Sequence, residues 1–187
     1  MRKINAVLSI AILALFLVHG IMGGFQLMGI VPGGDQTLTV ISWILAVLIG
    51  LHTLVGIKLT VDTLKATKAA GVSYPGANRL FWTRRISGFA IMLFIICHIL
   101  VFMGSGSGSA YRLIYFGTFR LIVQILLVVS VAIHAITNIR PLLISFGIKG
   151  YRVYVKDVLF ILAIVMLFCA AAMVIYYLRW NVLWRLS

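Results

Sequence analysis

Residues 85–98 read RISGFAIMLFIICH. An arginine is followed by two small residues, Ser87 and Gly88, then by an unbroken apolar run, then by a histidine. At about 1.5 Å of helix rise per residue, His98 lies more than halfway across a hydrocarbon layer about 30 Å thick. An ionisable side chain at that depth is costly unless something meets it. The arrangement recurs: His19, His52 and His134 each lie in another apolar stretch, and the chain holds no further histidine.

The apolar stretches are five, roughly Ile4–Met28, Thr39–Val61, Thr83–Met103, Phe116–Ile139 and Val158–Leu178. Each is long enough to cross a bilayer as a helix. The 187 residues are 63% hydrophobic and 10% charged, against about half and a quarter in a soluble globular chain. The expectation is an all-α membrane protein, one domain over residues 1–187, with five transmembrane helices of which the first four form a bundle. No soluble domain, internal repeat or nucleotide-binding motif stands out.

Sixteen Lys and Arg against three Asp and no Glu give a net charge of +13. In a soluble protein that would suggest nucleic acid; here the basic residues fall mostly at span ends, which excludes that reading in favour of membrane topology. Arg2 and Lys3 precede the first span, Lys65, Lys68, Arg79, Arg84 and Arg85 lie between the second and third, and Arg140, Lys149, Arg152 and Lys156 lie between the fourth and fifth. The opposite loops carry Asp35 and Arg112, and the tail carries Arg179 and Arg185. The positive-inside rule puts the N-terminus in the cytoplasm and the C-terminus outside, with Trp180 and Trp184 in an outer aromatic belt. Met1–Leu17 has the look of a signal peptide, but no convincing cleavage site follows, so it reads as a retained first helix. Cys97 and Cys169 lie in apolar runs without a CxxC pattern and read as free, buried thiols. Gly104–Ser109 reads as a flexible outer loop, and Leu64–Trp82 as the longest inner connection, with Pro75-Gly76 as a turn.

Counting from the cytoplasmic edges, His19 and His98 both lie about 15 residues in, near 22 Å deep, whereas His52 and His134 lie roughly 9 to 14 Å deep. The histidines therefore fall into two layers, each drawing one residue from each of two helices. Isolated buried histidines, each hydrogen-bonded to a neighbour, are the bland alternative; four in two depth-matched pairs argue against it. A proton relay would call for carboxylates, and Asp62 lies only at a span end. Facing histidines in a helical bundle are a means of holding a cofactor, and haem iron takes axial imidazole. His19 and His98 read as ligands of an outer haem b, His52 and His134 as ligands of an inner one, the iron being the metal in both. Gly20, Gly56 and Gly88 would let a flat macrocycle or a neighbouring helix come close. Arg84, Arg85, Arg140 and Lys58 on the inner side, and Arg112 and Arg120 on the outer, are candidate partners for haem propionates.

These residues resemble a known family, the five-helix dihaem cytochrome b anchors of succinate dehydrogenases and fumarate reductases. The resemblance rests on RISGF with a histidine 13 residues after Arg85, on His52-x-x-x-Gly56, on His134-x-x-x-Asn138 followed by ISFGI, and on a fifth span without histidine. It implies the same pairing: first and third helices for the distal haem, second and fourth for the proximal one, with Arg85 and Ser87 in the haem-binding motif. It further implies a flavoprotein subunit with FAD, an iron–sulfur subunit on the cytoplasmic face, and membrane quinone, menaquinone first, as the electron partner in a bacterial or archaeal cytoplasmic membrane. The membrane glutamates that some members use have no counterpart here. A dihaem anchor of a nitrate, thiosulfate or heterodisulfide reductase is the neighbouring alternative; a transporter with structural histidines is the non-enzymatic one, and lacks broken helices and intramembrane charges. If electrons cross the membrane, quinone binds at the outer side, where Gln26, Asp35, Gln36 and Trp43 lie. Asp35 would carry the proton, with Gln26 and Gln36 as hydrogen-bond donors.

Overall fold

The structure, a computed structural model, describes residues 1–71, 78–103, 106–107, 110–111 and 116–182. Five helices hold nearly all of them: α1 Arg2–Met28, α2 Gln36–Ala69, α3 Arg79–Met103, α4 Thr118–Ser145 and α5 Tyr151–Asn181. All five are long and apolar enough to cross a membrane. In hydrocarbon a backbone must satisfy its own hydrogen bonds, and a helix does so within one segment. The chain is an all-α membrane protein.

The termini of these helices follow from local chemistry. α1 stops at Gly29, whose φ of 77° is the left-handed conformation that favours glycine; its N–H bonds to Gln26 O and that of Ile30 to Phe25 O. α2 starts at Asp35, whose Oδ1 accepts from the N–H groups of Thr37 and Leu38 at 2.7 and 3.2 Å. Both ends of the α1–α2 turn are thereby closed.

The helices outrun the apolar stretches. α2 continues eight residues past Val61, and α5 begins seven before Val158. The connection expected over Leu64–Trp82 thus shrinks to the residues between Ala69 and Arg79, and the Pro75-Gly76 turn within it lies outside the described residues. Apolarity marks what sits in lipid; Lys, Thr and Asp can continue a hydrogen-bonded helix into water. At 34 residues, α2 is about 51 Å long, well beyond a hydrocarbon core of about 30 Å. In the stretch read as a flexible loop, Gly106–Ser107 pairs antiparallel with Ala110–Tyr111; Gly104, Ser105, Gly108, Ser109 and Arg112 lie outside the described residues, as do Trp184 and Arg185.

The helices run up and down. Met1, Arg2, Ala70 and Arg85 share one end of the bundle, here the amino-terminal end. Arg179 Nη1 donates to Leu27 O at 3.1 Å and Phe102 stacks on Phe116 at the other, far end. Close packing runs in the order α2, α1, α5, α4, α3, and α2 makes no comparable approach to α3 or α4. The arrangement is an arc of helices whose two ends, α2 and α3, face each other across a cleft that Thr53 Oγ1 and Met92 Sδ, 3.2 Å apart, bridge.

Glycines bring α1 close to α5. A Cβ on Gly20 would lie 3.2 Å from Cys169 Sγ, and one on Gly24 would strike the Phe168 ring. Cys169 Sγ in turn donates to Gly20 O at 3.7 Å. Gly20 therefore serves helix packing, as one of a small-xxx-small pair, and not the approach of a macrocycle. The largest buried cluster, Leu27, Phe116, Ala172 and Tyr176, closes the far end. Both cysteines are free, Cys169 buried and Cys97 half-buried.

Candidate metal centre

The histidines of the four helices meet in the two pairs expected from their depth. His19 on α1 and His98 on α3 have ring centroids 6.0 Å apart with planes at 77°. His52 on α2 and His134 on α4 are 6.4 Å apart at 86°. Each pair spans the cleft, with one ring from the α1–α2 hairpin and one from the α3–α4 hairpin. An imidazole nitrogen sits about 2 Å from a bound metal ion. With about 1.1 Å from nitrogen to ring centre on each side, two imidazoles sharing one ion have centroids about 6.3 Å apart. Both pairs have that spacing.

Which nitrogen faces the partner is set by what holds the other. Ser42 Oγ donates its proton to Leu38 O at 2.7 Å, so at 3.0 Å it accepts from His19 Nδ1–H. Gln124 Oε1, a carbonyl oxygen, accepts from His98 Nδ1–H at 2.7 Å. Ser87 Oγ donates to Arg84 O at 3.2 Å and accepts from His134 Nδ1–H, also at 3.2 Å. Three imidazoles therefore carry their proton on Nδ1 and leave the Nε2 lone pair for a metal. The fourth differs: His52 Nδ1 is buried and finds no partner among the described residues.

The layers stand well apart. Ser42, level with His19, precedes His52 by 10 residues on α2, and Gly88, level with His134, precedes His98 by 10 on α3. Two helices independently give about 15 Å of rise between layers. Around the amino-terminal layer the backbone is kept lean: a Cβ on Gly88 would stand 3.4 Å from His134 Cε1, and Gly56, one turn from His52, has open space where a Cβ would be.

Below that layer the cleft widens into a cavity of about 830 Å³ between the start of α1, the end of α2 and the start of α3, lined among others by Arg2, Asp62, Thr63 and Arg85. The Arg85 guanidinium lies 4.9 Å over the Phe81 ring. Of the inner basic residues, Arg85 thus lines the cleft. Arg84 Nε is committed to Thr137 O at 2.9 Å, and Arg140 Nη2 to Tyr151 Oη at 3.3 Å. Lys58 is exposed.

The outer residues expected at a quinone site lie close in sequence but have structural work. Asp35 caps α2, Gln26 Nε2 donates to Pro32 O at 3.2 Å across the same turn, and Gln36 is the exposed first residue of α2. Trp43, 50% exposed, lies on a shallow apolar surface with Ile44, Val47 and Leu48.

Sequence reading named Ser87 but passed over Ser42 and Gln124. Their signal was present: Gln124 is the one amide in the apolar run LIVQILLVV, and an amide in a membrane span needs a partner. No family model matches the chain, and neither the curated proteins nor the solved structures contain a match.

Proposed function

We propose that the chain is a dihaem cytochrome b, the membrane anchor of a quinone-linked respiratory complex of the succinate dehydrogenase or fumarate reductase kind. The observation that carries this reading is the pairing of four histidines across one cleft, at 6.0 and 6.4 Å. Two imidazoles are too few to hold a bare ion, and among the described residues no third His, Cys, Asp or Glu joins either pair. A haem would bring most of the iron's ligands itself, so that one pair of histidines would suffice to hold each.

When bound, the haems supply one-electron transfer across the apolar layer. The chain's own part is to hold and orient. His19 and His98 would ligate the haem of the far layer, His52 and His134 that of the amino-terminal layer. Ser42, Gln124 and Ser87 fix the imidazole tautomers, and Gly56 and Gly88 leave room beside the rings of the amino-terminal layer. Arg85, lining the cavity below the amino-terminal layer, would meet the acidic edge of the haem bound there. The basic amino-terminal end would face the cytoplasm and an iron–sulfur subunit, which a flavoprotein feeds or drains. Quinone would exchange electrons at the far layer. Succinate or fumarate chemistry would lie on the partner chain.

The test is the visible spectrum of the purified protein. It should show low-spin b-type haem at two equivalents per chain. Substituting His52 or His134 by Ala should remove one haem, and substituting His19 or His98 the other. Colourless wild-type protein, or loss that couples His19 to His52, would sink the reading.

A further inference from the structure

Gln124 is wholly buried, at 0% exposure, in the apolar run that opens α4. Its Oε1 meets His98, but its Nε2 is buried with no partner among the described residues. An unpaired buried amide N–H is costly, and a methionine or leucine of similar volume would not carry that cost. What the glutamine provides in return is one short hydrogen bond, to an imidazole.

That bond has a chemical effect beyond placement. An acceptor on Nδ1–H draws the proton away from the ring and makes the opposite nitrogen a stronger donor. A stronger axial donor favours the higher charge of iron(III) over iron(II), so the potential of that iron falls. The two layers differ in this respect. In the far layer both imidazoles donate, to Gln124 at 2.7 Å and Ser42 at 3.0 Å. In the amino-terminal layer one donates at 3.2 Å to Ser87, and His52 has no acceptor among the described residues.

We infer that Gln124 is a positioning residue that lowers the reduction potential of the far iron through its hydrogen bond to His98. The inference rests on the haem reading above. The reaction concerned adds one electron to iron(III), gives iron(II), and makes or breaks no bond.

Redox titration of the purified protein, followed in the visible spectrum, tests it. The far component is identified as the one lost in His98→Ala. Gln124→Met, which keeps volume and loses the acceptor, should raise its potential and leave the other component in place. Gln124→Glu, which restores an acceptor oxygen, should return it to the wild-type value or below. A far component that stays unmoved in haem-loaded Gln124→Met, or that moves together with its partner, overturns the inference and leaves the dihaem reading standing. If Gln124→Met loses the far haem, Gln124→Glu decides alone: a potential raised above wild type overturns the inference. A haem-free wild type overturns both readings at once.

Discussion

Gly24 has no room for even one more carbon. A Cβ there would meet the Phe168 ring of α5, and neighbouring Gly20 is nearly as tight against Cys169. Phe168 itself stands edge-on to Phe25, with ring centroids 5.1 Å apart, so it cannot simply swing aside. Gly24→Ala should cost about 1–3 kcal/mol by overpacking, seen as a lower Tm in detergent, while Gly23→Ala, where the same carbon meets open space, should leave Tm within the error of the measurement. At this scale the histidines were legible in the sequence, because a titratable ring in an apolar run has few structural excuses. Ser42 and Gln124 were harder to find. Their importance depends on which helix face turns toward which histidine, and that is set by tertiary packing. Gly20 was legible only as a small residue; whether it admits a cofactor or a helix is decided by α5, whose contacts no local pattern reports.

Pro141 sits inside α4. It lacks the N–H that would bond to the carbonyl four residues back, and an interior proline costs about 3 kcal/mol. That carbonyl belongs to Thr137, and Arg84 of α3 donates to it from Nε at 2.9 Å. The proline thus frees an acceptor, and the arginine, in the helix turn before Gly88, takes it. A hydrogen bond from a charged donor is worth about 1.5–3 kcal/mol. Arg84→Met should lower stability by about that amount, and should cost clearly less in a Pro141→Ala background, where the helix satisfies Thr137 itself. A double-mutant cycle of thermal or chemical unfolding measures the coupling; additive losses would mean the two residues act independently. Neither partner suggests this from sequence, since Arg84 stands among the inner basic residues and Pro141 lies just past the fourth apolar stretch, which ends at Ile139. α4 in fact continues to Ser145. The five spans were legible because bilayer thickness imposes a length on apolar runs, whereas helix ends follow caps and water, which apolarity does not encode.

For the whole molecule, the up-and-down order of five helices leaves the two termini at opposite ends of the bundle. Most of the basic side chains gather at the amino-terminal end, on Arg2, Lys3, Lys65, Lys68, Arg79, Arg84, Arg85, Arg140, Lys149, Arg152 and Lys156. The expected orientation follows from that asymmetry. A reporter fused after Ser187 should be active outside the cytoplasm only, and one inserted at Gly71 inside only; cytoplasmic activity at the C-terminus would reverse the orientation. The order of contacts, with α2 and α3 at the open ends of an arc, could not be read from the sequence, because all five spans are apolar all round and carry little sign of which face meets which neighbour.

The drawing of each histidine pair from two different hairpins has a consequence for biogenesis. As the ribosome delivers the chain, α1 and α2 enter the membrane with one histidine each, and neither has its counterpart. The far pair first meets when α3 is in place, but His98 has no Gln124 to hold it until α4 follows. The second pair also waits for α4, which brings His134 and the Thr137 carbonyl that Arg84 seizes. Any group gripped by the second pair would therefore load late, onto a chain already four helices long, and once loaded it would staple the first hairpin to the second. A nascent chain released before α4 has only the far pair of rings, without Gln124 to hold His98, so filling of the second grip would report that the first four crossings have been completed.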